Sequence, residues 1–150
     1  MVSVICPTFN EEKYIKSCIE SILAQDYPKD DLEVIFVDGM STDNTRSIIS
    51  SYQSQYHFIK LIDIPHRIVP HAMNTGIKNA KGQIIIRIDA HTLYQPDYFT
   101  VLSKRLLELD ADNVGVVCKT DVLNKTPKTL AIKIKLKHVD LPKFVVQTTV

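Results

Sequence analysis

The sequence predicts an α/β fold: a mostly parallel sheet with helices on both faces. Short runs of β-branched and apolar residues alternate along the chain with stretches whose apolar residues recur at helical spacing. Strands that alternate with helices close into parallel sheets through right-handed crossovers. The runs are apolar on both faces, as strands buried within a parallel sheet are.

Residues 2–7 read as the first strand. Asn10, Glu11 and Glu12 follow as N-cap and first-turn residues, and Ile15, Ile19, Ile22 and Leu23 mark the first helix. Tyr27-Pro28-Lys29-Asp30 punctuates the chain before a second strand at 33–37. Ser41-Thr42-Asp43 opens a second helix running towards Tyr52, with Asp43 as a first-turn acid facing the helix dipole. A third strand spans 59–64, Pro65 and Pro70 bracket a loop, and 72–79 reads as a short helix ended by Gly82. The fourth strand covers 83–88. Pro96-Asp97 starts a helix with Phe99, Leu102, Leu106 and Leu109 as its core stripe, and 114–118 is a fifth strand. Beyond Asp121 the pattern weakens. Residues 131–139 alternate apolar residues with Lys, which suits either a solvent-faced strand or an amphipathic helix.

The chain has 150 residues, 45% of them hydrophobic and 23% charged, as in an ordinary globular domain. Its 18 basic and 17 acidic residues leave a net charge of +1, which argues against a nucleic-acid partner bound through bulk charge. Three widely spaced cysteines, Cys6, Cys18 and Cys118, suggest neither a disulfide framework nor a zinc knuckle, and fit a reducing compartment. No signal sequence opens the chain, and Ile84-Ile85-Ile86 is interrupted by Arg87 and Asp89, far short of the ~20 apolar residues that span a bilayer. These features predict a cytoplasmic protein, with docking at the inner face of a membrane left open.

Ligands of open parallel sheets bind beyond the carboxyl ends of the strands. Here those ends carry Pro7-Thr8-Phe9-Asn10, Asp38-Gly39-Met40-Ser41 and Asp89-Ala90-His91, all with polar residues. The four glycines, Gly39, Gly76, Gly82 and Gly115, form no G-x-G-x-x-G turn, and no Gly-Lys-Ser/Thr occurs, so the two common phosphate-cradling loops are excluded. A nucleotide held here needs another device, such as a divalent cation on carboxylates whose shell the diphosphate completes.

Val2-Ser3-Val4-Ile5-Cys6-Pro7-Thr8-Phe9-Asn10-Glu11-Glu12 resembles the opening of family 2 glycosyltransferases. The likeness continues through Ile22-Leu23-Ala24-Gln25, the block from Val34 to Thr45, Asn74-Thr75-Gly76-Ile77, Ala80-Lys81-Gly82-Gln83-Ile84-Ile85 and Arg87-Ile88-Asp89-Ala90-His91. These blocks occur in the family's order over residues 2–120; each alone is a modest signal, and the ordered set is a strong one. Asp-x-His preceded by Arg, where most members carry Asp-x-Asp, resembles the succinoglycan-type exopolysaccharide branch.

The resemblance implies a GT-A, Rossmann-like architecture and transfer of a sugar, with inversion, from a nucleoside diphosphate sugar to a saccharide or lipid-linked acceptor in polysaccharide or cell-envelope glycan synthesis. It implies that Pro7, Thr8, Phe9 and Glu11 belong to the nucleotide site, with Phe9 offering a π-face to the base. Asp38 either reaches the ligand or holds its loop. Gly39 stands where many members have a base-binding Asp; a UDP-sugar is nonetheless the favoured donor. Arg67 either neutralises diphosphate or is a solvated loop residue, and Asn74 shapes the helix beside the nucleotide. His66 and His71 are too loosely spaced for a metal site. Residues i and i+2 of an extended segment point the same way, so Asp89 and His91 converge as a metal-ligand pair. Imidazole in the pair favours Mn²⁺ over Mg²⁺.

The reaction also needs a general base for the acceptor hydroxyl. The family's base lies well after the metal motif, where the likeness fades; Asp140 is the one late candidate. We therefore expect residues 1–120 to form the nucleotide-sugar-binding subdomain and 121–150 the start of an acceptor-side region or a poorly defined tail. A nucleotide-sugar-binding module without turnover is the alternative. A receiver-type signalling domain with Asp38 as phosphoacceptor fits less well, because Cys6-Pro7-Thr8 lacks the acidic cluster such chemistry wants. Self-association through an apolar sheet edge is also open.

Overall fold

A computed structural model describes residues 1–110 in full, together with the strands Asn113–Cys118, Ile132–Ile134 and Lys143–Thr149. The elements run β1 (Val2–Thr8), α1 (Ile15–Leu23), a 3₁₀ turn (Lys29–Asp31), β2 (Leu32–Asp38), α2 (Thr45–Gln53), β3 (Ile59–Asp63), α3 (Val69–Asn79), β4 (Ile84–Arg87), α4 (Tyr98–Glu108), β5 (Asn113–Cys118), β6 (Ile132–Ile134) and β7 (Lys143–Thr149). The strands form one sheet in the order β3-β2-β1-β4-β7-β5-β6. Every pairing is parallel except that of β5 with β6.

The period of two along each strand sorts the core into two faces. Val2, Val4 and Cys6 of β1, Leu32, Val34 and Phe36 of β2, and Ile84 and Ile86 of β4 pack with α1, Ile49 of α2 and Phe99, Leu102 and Leu106 of α4. Their neighbours Ile5, Ile35, Val37 and Ile85 face the other way, onto Ala72 of α3. The register Val2↔Leu32 and Val2↔Ile84 keeps even-numbered residues of all three strands on one face. Gly76 is what brings α3 so close: a methyl group there would lie 2.5 Å from Ile5 Cγ2. The opposite, amino-terminal edge is tied by buried Glu33, whose carboxylate accepts from Ser3 Oγ, Lys60 Nζ and the Lys81 N–H.

Three sequence readings change. Helix α1 starts at Ile15, not at the 10–12 segment: Asn10 is left-handed (φ 54), and the Glu11 carbonyl accepts the Tyr14 and Ile15 N–H groups. Pro70 lies in the first turn of α3 rather than at the end of a loop, a place where its missing N–H costs nothing. Two strands beyond residue 120, β6 and β7, join the sheet, and β7 lies between β4 and β5. Of the ambiguous 131–139 stretch, Ile132–Ile134 is strand; the remainder lies outside the described residues.

Candidate functional site: a cleft at the carboxyl edge of the sheet

The site is built where β1, β2 and β4 end. Two loops there are laced together. Asn10 Oδ1 accepts the Thr42 N–H (2.8 Å), Ser41 Oγ accepts the Asn10 N–H (2.8 Å) and Thr45 Oγ1 accepts the Glu11 N–H (2.7 Å). Asp43 is not a first-turn acid: it precedes α2, accepting the Thr45 N–H through one oxygen and the Glu12 N–H through the other. Desolvation works to raise its pKa, but these hydrogen bonds from Thr45 and Glu12 hold it below its ordinary value.

Asp38 anchors this lacing from beneath. It is fully buried, and its carboxylate accepts from Thr8 Oγ1 (3.1 Å), the Ser41 N–H (2.7 Å) and Ser41 Oγ (2.6 Å), with Arg46 Nε at 3.9 Å. These contacts are those of the loop-holding role, and Asp38 faces the α2 side of the sheet. The reason is parity: even-numbered residues of β2 face that side.

The odd-numbered residues at the same strand ends, together with Thr8 and Ala90, open onto a cleft of about 270 Å³. Pro7, Thr8, Phe9 and Glu11 line it from β1 and the loop after it, Val37 and Gly39 from β2, and Arg87, Asp89, Ala90 and His91 from β4. The 64–69 segment and Ala72 complete it. Asn74 is exposed on α3 and does not line it. Asp140 lies outside the described residues.

Two groupings define the cleft's chemistry. On one side Arg67 lies over Phe9, its guanidinium carbon 4.8 Å from the ring centroid, within cation–π range. Gly39 permits this approach, since a Cβ there would lie 3.3 Å from Arg67 Cα and 3.6 Å from Phe9 Cδ2. On the other side His91 Nδ1 sits 3.2 Å from Glu11 Oε1, and Arg87 pairs with Asp89 Oδ1 at 3.2 Å. His66 and His71, five residues apart, bring their ring centroids within 4.5 Å. Among the described residues, no three His, Cys, Asp or Glu side chains gather as a complete metal cage. The donor types fit a divalent cation, since one carboxylate, Asp89, and one imidazole, His91, line the cleft and such a set suits Mn²⁺, but the extended segment expected between them is instead a turn, in which the Thr92 N–H donates to the Asp89 carbonyl.

Supporting residues that sequence spacing left without a role are now visible. The buried Tyr94 hydroxyl accepts the Asp89 N–H and donates to the Asp89 carbonyl. Burial, with the neighbouring Cys6 thiol adding to it, pushes this phenol's pKa well up, so it stays protonated and can donate. Buried Gln25 ties α1 to the segment before α4: Nε2 donates to the Gln95 carbonyl and Oε1 accepts the Phe99 N–H.

A parallel sheet ending in a cleft with an arginine, a histidine and carboxylates defines an α/β protein built to hold an anionic ligand at its strand ends. Comparison with known proteins is specific: residues 3–147 match the family model described as glycosyl transferase family 2, and the chain belongs to that family. A dolichyl N-acetyl-α-D-glucosaminyl phosphate 3-β-D-2,3-diacetamido-2,3-dideoxy-β-D-glucuronosyltransferase of Methanococcus voltae is 34% identical over 135 residues, covering 89% of this chain and 42% of the relative. Among solved structures, TarS of S. aureus in complex with UDP-GlcNAc superposes with a TM-score of 0.72 at 27% identity, covering 85% of this chain and 37% of TarS. A mannosyltransferase of Pyrobaculum calidifontis in complex with GDP-Man and Mn²⁺ gives 0.70 at 33% identity, over 79% and 35% of the two chains. The architecture is GT-A. The chain thus spans about two-fifths of the length of these proteins.

Proposed function

We propose that this chain forms the donor-binding part of an inverting glycosyltransferase. In this reading it holds a nucleoside diphosphate sugar, a UDP-sugar by preference, in the cleft at the ends of β1, β2 and β4. The sugar passes to a saccharide or lipid-linked acceptor in cell-envelope glycan synthesis at the cytoplasmic side of the membrane. The observation that carries the reading is a cleft lined by Asp89, by His91 with Glu11 3.2 Å from it, and by Phe9 with Arg67 over its ring. The relatives solved with UDP-GlcNAc and with GDP-Man and Mn²⁺ support it.

The acceptor hydroxyl attacks the anomeric carbon as the bond to the diphosphate oxygen breaks, and negative charge grows on the departing diphosphate. Asp89 and His91 would hold a divalent cation, which would offset that charge as a Lewis acid. Phe9 and Arg67 present an aromatic face and a guanidinium to the nucleotide, while Tyr94 fixes the Asp89 backbone. Pro7, Thr8 and Glu11 shape the floor.

One observation favours the second reading, a binding module without turnover. Among the described residues, the carboxylates lining the cleft are Glu11 and Asp89 alone, and each is engaged, by His91 and Arg87. A general base must come from elsewhere, with Asp140 the late candidate.

Calorimetric titration of UDP and GDP, with and without Mn²⁺, on the wild type and Asp89→Ala tests the donor site. Mn²⁺-dependent binding that Asp89→Ala abolishes is the expected result. Failure of both nucleotides to bind under either condition would overturn the reading. Sugar release in an acceptor assay separates enzyme from binding module.

A further inference from the structure

Resting on the donor-site reading above, we infer that Arg87 is a phosphate-binding residue of this cleft, a second positive group for the diphosphate that Asp89 holds in position. Arg87 is the last residue of β4 and follows the buried run Ile84–Ile86. Its odd parity turns it away from the α1/α4 core, onto the cleft face that it shares with Pro7, Gly39 and Asp89. A charged group in that place, with its side chain only 31% exposed, has lost much of its water and requires compensation.

The compensation within the described residues is partial. A guanidinium carries five N–H donors in a rigid fork. One terminal nitrogen bonds Asp89 Oδ1 at 3.2 Å, while Nε is buried without a hydrogen-bond partner among the described residues. The pair is therefore a single-point contact rather than the two-point fork that arginine makes with a fully committed carboxylate. Asp89 orients Arg87 through one terminal nitrogen, and Arg87 itself lines the cleft.

The charge balance points the same way. The charged side chains lining the cleft are Arg67 and Arg87 against Glu11 and Asp89, with His91 beside them. Once Asp89 shares its charge with a divalent cation, the Arg87 guanidinium calls for another anion, and a diphosphate supplies oxygens that accept its fork in pairs. This chain has no glycine-rich loop to cradle phosphates; a half-buried arginine beside the metal-binding carboxylate takes up part of that task.

The test is calorimetric titration of the whole chain with UDP, GDP, uridine and guanosine, in EDTA and in Mn²⁺, comparing the wild type with Arg87→Met and Arg87→Lys. Arg87→Met is expected to weaken the preferred nucleoside diphosphate about tenfold or more in both conditions, the loss of one charge-assisted hydrogen bond. The affinity for the matching nucleoside stays as in the wild type. Arg87→Lys recovers part of the loss, because it keeps the charge and not the fork. Should Arg87→Met fail to fold, Arg87→Gln, which retains a hydrogen-bonding end for Asp89, carries the same comparison. Equal diphosphate affinity in the wild type and the neutral variant overturns the role of Arg87 and leaves the donor site standing. A parallel loss of nucleoside affinity also overturns it, marking Arg87 as structural. A wild type that binds neither diphosphate overturns the donor site, and this inference with it.

Discussion

The Tyr94 hydroxyl grips both backbone polar groups of Asp89, accepting its N–H at 2.8 Å and donating to its carbonyl at 3.1 Å. Tyr94 is itself fixed: it is buried, and its N–H donates to Ser21 Oγ on α1. The chain at the end of β4 is thus locked to the α1 core just where its side chains enter the cleft.

Tyr94→Phe removes this grip while keeping the ring in place. It leaves the Asp89 N–H without its partner, while the Asp89 carbonyl keeps the Thr92 N–H and the Cys18 thiol, and a loss of about 1–3 kcal/mol in urea denaturation is expected. Mn²⁺-dependent nucleotide binding should weaken severalfold as Asp89 loosens. An unchanged urea midpoint would mean that water replaces the hydroxyl and that the grip contributes little.

Gly76→Ala sets two effects against each other. Alanine in a helix interior gains about 1 kcal/mol over glycine. The new methyl would lie 2.5 Å from Ile5 Cγ2 and 3.1 Å from Cδ1, both on a fully buried side chain of β1. Overpacking of this kind costs ~1–3 kcal/mol, so a net loss is expected. In an Ile5→Ala background, where those atoms are gone, the same substitution should be neutral or stabilising. A loss of equal size in both backgrounds would place its cause elsewhere.

The fold was legible because its signals are periodic. Ile15, Ile19 and Ile22 recur at helical spacing and are buried on α1, and the apolar runs of β1, β2 and β4 are buried on both faces. β7 was not legible: its place beside β4 is a long-range choice that local pattern does not encode. In the site, the i, i+2 rule that reads Asp89 and His91 as a pair does not reach His91, because Ala90 and His91 form a turn in which the Thr92 N–H donates to the Asp89 carbonyl, but the rule does govern Asp38. Counting alternate positions from Phe36, which packs in the α1-side core, would have turned Asp38 away from the cleft. The same count from Asp89 reaches Arg87, so the signal for Arg87 was present in the spacing. Tyr94 and Gln25 act on backbone groups distant in sequence, and nothing in their local context marks them.

Glu33 makes stability depend on pH. Desolvation works to raise the pKa of this carboxyl, but hydrogen bonds from Lys60, Ser3 and the Lys81 N–H, with the Lys60 charge, bring it below the ordinary value of 4.5. A pKa lowered by folding means that the native state favours the ionised form. The stabilisation is therefore fully present above that ordinary value and is lost as pH falls through the lower folded-state value. Glu33→Gln should cost ~1–3 kcal/mol at neutral pH, and its deficit against the wild type should shrink as the pH falls below 4.5. Stability curves from pH 7 to pH 3 check this, and a deficit independent of pH would exclude the carboxylate charge as its source.

Asp38 ends β2 and Asp89 follows β4, the two strands that flank β1, yet they should fail in opposite ways. Asp38 is fully buried and accepts three hydrogen bonds from Thr8 and Ser41. Asp38→Ala strands the Ser41 N–H and two hydroxyls in the interior, and a loss of about 2–4 kcal/mol is expected. The Asp38 side chain itself does not line the cleft, so at temperatures well below the melting transition nucleotide affinity should stay within a few-fold of wild type. Asp89 is partly exposed in the cleft, with its backbone held independently by Tyr94. Asp89→Ala should therefore leave the urea midpoint within about 1 kcal/mol of wild type, as changes away from buried networks do, while Mn²⁺-dependent binding disappears. Parallel denaturation and titration of the two variants separate the roles. An Asp38→Ala protein of normal stability that no longer binds nucleotide would show that Asp38 reaches the ligand after all, and would reverse the division of labour drawn from strand parity.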